Sequence, residues 1–167
     1  LLETETESIY RYSKKSIFYL YDIKTKELIQ IFDKKIQLAE FSPNSIYISY
    51  IYRNNIYVYN TKTRKRKKIT HKGLPNKIIC GGTDWVYEEE FSLVKGYEWS
   101  PNSKYLAYYI FNESKVPEFS MDIFEGKLYP KQERFKYPKA GERNALVKIN
   151  IFNIKTDDDI VAQVNKK

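Results

Sequence analysis

The sequence predicts an all-β fold in which short antiparallel strands are joined by tight turns. The 167 residues include 16 tyrosines and 9 phenylalanines, and aromatic and β-branched residues suit the half-buried, pleated surface of a strand. Alternation of side-chain character with period two occurs in five segments. A ten-residue pattern also occurs twice, which indicates a repeat architecture. The composition, 42% hydrophobic and 30% charged, is that of a globular domain or part of one.

Five strands are predicted from the alternation, and each is bounded by residues that favour turns. The strands cover residues 17–21, 46–52, 56–59, 105–110 and 147–152. The turns are predicted at residues 22–26, 42–45, 53–55, 100–103 and 153–157, where Asn, Asp, Pro and Ser are concentrated. Because tight turns connect antiparallel neighbours, these strands should form meanders.

The repeated pattern predicts which β-architecture the meanders build. Residues 41–50 read Phe-Ser-Pro-Asn-Ser-Ile-Tyr-Ile-Ser-Tyr, and residues 99–108 read Trp-Ser-Pro-Asn-Ser-Lys-Tyr-Leu-Ala-Tyr. Such a turn-strand-hairpin unit, recurring every 40 to 50 residues or so, is typical of β-propeller blades. Residues 1–167 would hold about three to four blades, so we expect a partial β-propeller domain. The chain begins at Leu1, and we expect a longer parent polypeptide.

Two segments, residues 81–91 and 113–143, interrupt the blade pattern, and insertions on a rigid scaffold often carry binding residues. The first contains the run Asp-Trp-Val-Tyr-Glu-Glu-Glu in a protein of net charge +8. Adjacent residues of a strand face opposite sides, so Glu89 and Glu90 could converge on one ligand only through a helical turn or a bend. Two converging carboxylates favour a cation, and an ammonium group has three donors for them. The competing interpretation is an exposed acidic turn paired with lysines.

Four motifs resemble the N-terminal propeller of the dipeptidyl peptidase IV family, which includes fibroblast activation protein and belongs to the prolyl oligopeptidase superfamily. They are residues 82–91, 99–108, 111–117 and 137–141, in the family's order and at nearly its spacing, so the resemblance covers essentially the whole chain. It implies an eight-bladed propeller over an α/β-hydrolase domain. In that family a Ser-Asp-His triad releases an N-terminal dipeptide whose second residue is proline or, less well, alanine.

The resemblance also implies which residues bind the substrate. Glu89 and Glu90, the last two of three consecutive glutamates, would bind the free α-amino group, while Glu88 is expected to be structural. Reading back without gaps from Asp22 places the family's arginine at Arg11, which would bind the carbonyl of the penultimate residue and orient the acidic pair. From the residues alone, Arg11 is interpreted as a surface arginine. The chain is one residue shorter than the family pattern after Glu90, so no role is carried over to Ser92.

The sequence offers no catalytic machinery of its own. It contains no Gly-x-Ser-x-Gly elbow, and its one histidine, His71, lies in a predicted turn between blades. Its one cysteine, Cys80, follows two isoleucines and is predicted to be a buried thiol. One histidine and one cysteine cannot form a His/Cys metal site, so no metal or cofactor is expected. We expect this chain to bind substrate, while an α/β-hydrolase domain absent from these residues cleaves it.

The expected partners are peptides with a free N-terminus and a penultimate proline or alanine, the hydrolase domain, and a second copy in a homodimer. The resemblance implies a periplasmic, cell-surface or secreted protein. One alternative is a non-catalytic propeller that binds peptides or proteins. Another is an electrostatic binder of nucleic acid or an anionic surface through the basic residues 64–68. That run is predicted to be a solvated hairpin tip, so nucleic acid is not expected.

Overall fold

The protein consists of antiparallel β-sheets with one short helix, as described for residues 1–163 by a computed structural model. The first sheet contains β1 (Leu2–Ser8), β2 (Lys14–Tyr21) and β3 (Leu28–Gln30). The second contains β4 (Gln37–Phe41), β5 (Tyr47–Tyr52), β6 (Asn55–Asn60) and β7 (Arg66–Lys68). Then come β8 (Ile78–Cys80), helix α1 (Trp85–Phe91), β9 (Tyr97–Trp99), β10 (Tyr105–Asn112), β11 (Glu118–Ile123), β12 (Lys131–Lys136), β13 (Leu146–Asn153) and β14 (Asp159–Val161).

The order of the strands is that of successive propeller blades. The second sheet is a complete four-stranded meander, β4-β5-β6-β7. In the third sheet β10 pairs with β13, β13 with β14, and both β8 and β9 pair with β10. The β11–β12 hairpin is an insertion between β10 and β13. The fold-class prediction is therefore confirmed, and the five predicted strands correspond to β2, β5, β6, β10 and β13.

The core lies between the sheets, because a blade cannot bury both of its faces alone. One buried cluster joins the first and second sheets and includes Phe18, Ile36 and Tyr50. The other joins the second and third sheets, where the Trp99 indole donates to the Ser49 hydroxyl at 2.8 Å. The membership of Cys80 in this second cluster confirms the predicted buried thiol, and burial raises its pKa.

The two copies of the sequence repeat form the same turn. In each, the serine hydroxyl donates to the asparagine side chain two residues later at 2.8 Å. It also accepts from a backbone N–H five residues later, at 3.0 Å for Ser42 and 2.9 Å for Ser100. Ser45 and Ser103 both adopt a φ of 58°. The Asn44 N–H donates to the Ser103 hydroxyl at 3.0 Å, so the repeats also contact each other.

The basic run is not wholly the hairpin tip that the sequence predicted. Only Arg64 and Lys65 lie in the turn, while the next three residues form β7 on the edge of the second sheet. Arg64 pairs with Glu27, and Lys67 pairs with Asp157. A strand of three charged residues has no apolar alternation, so its pairing with β6 rather than its own sequence fixes it.

No helix among residues 1–163 is long and apolar enough to cross a membrane. His71 is exposed in the connection between β7 and β8, which agrees with the predicted turn between blades.

Candidate functional site

The three glutamates lie on α1, which is inserted into the middle of one strand. β8 and β9 pair with adjacent parts of β10, so that Cys80 faces Ile110 and Tyr97 faces Tyr108. Between them, the Gly81 N–H donates to the Tyr109 carbonyl at 2.9 Å, and the Tyr109 N–H donates to the Gly96 carbonyl at 2.7 Å. β8 and β9 therefore continue one strand along β10, and residues 82–95 are an insertion between them. The insertion begins and ends at Gly81 and Gly96, which lie side by side, and we call this point the neck.

Glycine is required on both sides of this neck. The Gly96 N–H donates to the Gly81 carbonyl at 2.8 Å, which closes the neck. A Cβ on Gly96 would lie 2.5 Å from the Gly82 carbonyl oxygen. A Cβ on Gly81, whose φ is 79°, would lie 2.6 Å from the Ile56 Cγ1 atom. A side chain therefore fits at neither position, since Gly96 lies against backbone atoms and Gly81 against the Ile56 side chain, and α1 leaves the strand at a fixed point.

Helix α1 has defined ends, which explains why seven residues suffice to form it. Asp84 is the N-cap, and its side chain accepts from the Tyr87 N–H at 3.0 Å. Ser92 ends the helix in the left-handed conformation with a φ of 53°. Of the two local conformations considered from the sequence, a helical turn or a bend, the structure has the helical one, which begins at Trp85. Successive side chains on a helix are about 100° apart, so the three glutamates point in different directions.

Glu88 points into the protein. Its side chain is 2% exposed, and its Oε1 atom accepts from the backbone N–H groups of Tyr12 and Ser13, each at 2.8 Å. These two residues belong to the loop between β1 and β2. The expectation that Glu88 is structural agrees with this burial, and the contact docks the loop onto α1.

Arg11 lies in the same loop and reaches the next glutamate. Its Nε atom donates to the Glu89 Oε2 atom at 2.7 Å. The Arg11 side chain is 66% exposed, whereas that of Glu89 is 14% exposed. The structure thus brings together two of the three predicted site residues, which are 78 positions apart in the sequence. A guanidinium has five N–H donors, and the terminal NH2 groups of Arg11 donate to no group of residues 1–163, so they can donate to a ligand carbonyl.

Glu90 is the exposed member of the run. Its carboxylate makes no hydrogen bond or ion pair with any group of residues 1–163, so it does not pair with a lysine there. Glu89 and Glu90 are successive helix residues, and the Arg11 guanidinium donates to the first of them. Two carboxylates can accept charge-assisted hydrogen bonds from an ammonium group, and the guanidinium can donate to a neighbouring carbonyl. This is the chemistry that the described arrangement makes available.

The β11–β12 hairpin supports α1 from the side, which the sequence analysis missed. The Trp85 ring lies 4.7 Å from the Tyr137 ring and 5.9 Å from the Phe135 ring, between centroids. The Phe135 and Tyr137 pair, separated by one lysine, was a period-two signal within a segment interpreted as an irregular insertion. Because Trp85 is the first residue of α1, this aromatic contact stabilises the start of the helix.

A polar cavity of about 160 Å³ lies under the helix, and its acidic lining was also missed from the sequence. It is lined in part by Asp84, Glu88 and Glu113, together with Tyr10 and Lys136. Glu113 is 5% exposed, and burial, with a further contribution from the charge of Asp84, raises its pKa to about 7. Burial likewise raises the pKa of Tyr10 to about 12. The cavity therefore favours the protonated form of Glu113 in mildly acidic solution.

Glu113→Gln is expected to stabilise the protein at alkaline pH. Since the ordinary pKa of 4.5 rises to about 7 on folding, the folded state retains a proton that the unfolded chain has lost between these values. Stability therefore falls as the pH rises from about 4.5 to about 7. Glutamine mimics the neutral acid, so above pH 7 the variant should gain about 1 kcal/mol after solvent screening.

Thermal unfolding of parent and variant at pH 4 and pH 8 checks this expectation. About 1 kcal/mol corresponds to a rise of about 2 to 4 °C in the melting temperature. The rise should be found at pH 8 and be absent at pH 4. A difference of the same size at both values would show that Glu113 does not titrate in this way.

A family model described as "Dipeptidyl peptidase IV (DPP IV) N-terminal region" matches residues 1–166. Prolyl endopeptidase FAP of Bos taurus is 36% identical over 155 residues, which cover 91% of this chain and 20% of the relative. Dipeptidyl peptidase 4 of Sus scrofa is 38% identical over 152 residues, covering 88% and 20% respectively. Inactive dipeptidyl peptidase 10 of Mus musculus is 32% identical over 160 residues, covering 92% and 20%. The chain thus spans about a fifth of the length of these relatives.

Among solved structures, the crystal structure of Porphyromonas gingivalis dipeptidyl peptidase 4 matches with a TM-score of 0.93 and 33% sequence identity. The match covers 99% of this chain and 24% of that chain. The fold and the order of the sheets are therefore shared over nearly all of the chain.

Proposed function

Because this chain belongs to the family of the dipeptidyl peptidase IV N-terminal region, we propose that it is the propeller segment with which a serine dipeptidyl peptidase recognises the free amino end of its substrate. The observation that carries the proposal is the contact between Arg11 and Glu89 at 2.7 Å, beside the exposed Glu90. A cation from the loop between β1 and β2 contacts the first of two successive carboxylates on a helix that leaves its strand at a fixed point. Each group has a complement at the N-terminus of a peptide.

The ammonium group of a peptide is the ligand that the acidic pair suits. It carries three N–H donors, and charge-assisted hydrogen bonds to carboxylates are roughly twice as strong as neutral ones. The free NH2 groups of Arg11 can donate to a peptide carbonyl near the same end. A peptide with a blocked N-terminus loses the charge and most of these donors, so it is rejected.

Recognition of the amino end would also determine where the peptide is cut. If the ammonium group is held at a fixed distance from a nucleophile, only the bond two residues along reaches it, and a dipeptide leaves. Binding is then converted into orientation at the reacting carbonyl. We assign the nucleophile to a Ser-Asp-His triad in an α/β-hydrolase domain outside these residues, with X-Pro and, less well, X-Ala as the dipeptides released.

A second candidate function is binding of peptide N-termini without cleavage. It is favoured by the 32% identity with inactive dipeptidyl peptidase 10 of Mus musculus, which indicates that this propeller also occurs in a protein named as inactive. The same carboxylates would then hold a peptide that no triad attacks.

One experiment separates the two candidates. The full-length protein that carries this chain is incubated with a peptide beginning Gly-Pro, and the products are identified by mass spectrometry. We expect release of intact Gly-Pro from the free peptide and none from its N-acetylated form. Binding of the free peptide without any product would favour the non-catalytic candidate. Equal treatment of the free and acetylated peptides, in binding and in cleavage, would contradict both.

A further inference from the structure

Glu88 differs from its two neighbours in what its carboxylate does. It is 2% exposed, and one of its oxygen atoms accepts from two consecutive backbone N–H groups, those of Tyr12 and Ser13. A buried carboxylate is unfavourable unless it is hydrogen-bonded, and two charge-assisted bonds at 2.8 Å offset that cost. The contact therefore favours one particular placement of the loop against the helix.

The two ends of this contact are direct neighbours of the candidate ligand-binding residues. Arg11 immediately precedes Tyr12, and Glu89 immediately follows Glu88. The loop is also closed on itself, because the Ile9 N–H donates to the Ser13 carbonyl at 2.8 Å. A movement of the loop relative to α1 would therefore move Arg11 relative to Glu89.

The ion pair between Arg11 and Glu89 is too weak to fix the placement of the loop against α1 by itself. Arg11 is largely exposed, and exposed ion pairs are screened by water and salt and contribute little. The two hydrogen bonds that the buried Glu88 carboxylate accepts are protected from both water and salt. Of the contacts between the loop and α1, those of Glu88 are the ones able to fix the distance between the guanidinium and the carboxylates.

We propose that Glu88 is a positioning residue, which sets the placement of Arg11 against Glu89 and Glu90 without contacting the ligand. This inference rests on the proposed function, since it concerns the geometry with which the same site binds a peptide amino end. If Glu88 acts through Arg11, its loss should matter only while Arg11 is present. If it merely stabilises the fold, its loss and that of Arg11 should act independently.

A double-mutant cycle in the full-length protein distinguishes these possibilities. Glu88→Ala, Arg11→Ala and the double variant are compared by kcat/KM for Gly-Pro-p-nitroanilide. We expect each single substitution to lower kcat/KM at least about tenfold. The kcat/KM of the double variant should be no lower than that of the less active single variant. Glu88→Gln keeps a carbonyl oxygen for both N–H groups, so it should stay within about threefold of the parent. Glu27→Ala, which breaks the exposed pair with Arg64, is the matched control and should leave kcat/KM unchanged.

A second measurement follows the contact itself, whether or not the protein cleaves the substrate. Hydrogen exchange of the Tyr12 and Ser13 amides should become at least about tenfold faster in Glu88→Ala, while exchange in β5 and β10 stays the same. Unchanged exchange at the two amides, or multiplicative losses in the cycle, would overturn the role of Glu88. If the unsubstituted full-length protein is inactive but exchange is faster in Glu88→Ala, the proposed cleavage is refuted and the contact of Glu88 is established.

Discussion

Glu90→Gln in the full-length protein is expected to lower kcat/KM for Gly-Pro-p-nitroanilide about 100-fold, and Glu89→Gln at least as much. Glutamine has nearly the same shape, but it leaves the substrate ammonium with one anionic partner instead of two. Truncating one member of a bound charge pair costs about 2 to 5 kcal/mol, and each 1.4 kcal/mol or so is tenfold in rate. Glu89→Gln also weakens the contact with Arg11.

Folding is not expected to change with Glu90→Gln. Glu90 is exposed and pairs with no group of residues 1–163. The melting temperature of the Glu90→Gln variant should therefore match that of the unsubstituted protein. Glu27→Gln, in the connection between β2 and β3, serves as the control for removal of a carboxylate outside the site. If Glu89→Gln and Glu90→Gln both keep kcat/KM within about threefold of the parent, the assignment of the amino-end site is wrong.

Gly96→Ala is expected to destabilise the protein by about 3 kcal/mol or more and to abolish substrate binding. The added Cβ would stand 2.5 Å from a backbone oxygen, and forcing atoms into a packed site costs about 1 to 3 kcal/mol even where side chains can adjust. A backbone neighbour can adjust less. Opening the neck would release residues 82–95 and with them α1.

Gly81→Ala tests the other side of the neck, and it has a matched control. Gly81 has a φ of 79° and a Cβ position 2.6 Å from Ile56, whereas Gly141 has a φ of 84° and nothing within 4 Å of its Cβ position. Gly141→Ala therefore pays only the left-handed backbone cost, about 1 to 2 kcal/mol. Chemical denaturation measures the free energy of unfolding of both variants, and Gly81→Ala should lose more of it than Gly141→Ala. Equal losses in the two variants would show that the close approach of Gly81 to Ile56 contributes nothing.

The alternation of side chains predicted strands that contribute residues to the core, and it could not predict the others. β5 and β6 bury most of their residues and were found from the sequence. β1 is exposed along its whole length, so its sequence, Leu-Glu-Thr-Glu-Thr-Glu-Ser, carries no core signal. β8 and β9 have three residues each, too few to show a period, and only their common partner β10 reveals them as one interrupted strand.

The candidate site was predicted through the family resemblance more than through its own chemistry. The acidic run indicated a cation site, but nothing in the spacing places Arg11 beside Glu89, because the contact is made by the folding of separate sheets. Glu113 and the cavity were missed for a related reason. Burial of an acid among distant residues depends on tertiary packing, and a single glutamate in a polar segment gives no local sign of it.

The most direct test of the account compares two substrates that differ only in the ammonium group. Acetyl-Pro-p-nitroanilide is Gly-Pro-p-nitroanilide without its α-amino group, so the ratio of their kcat/KM values isolates what the acidic pair recognises. We expect the parent protein to prefer the free amine at least about 100-fold. In the Glu89→Gln, Glu90→Gln double variant the two substrates should be cleaved at similar, low rates. A parent protein that cleaves both equally well, or a double variant that keeps the full preference, would contradict recognition of the amino end by this helix.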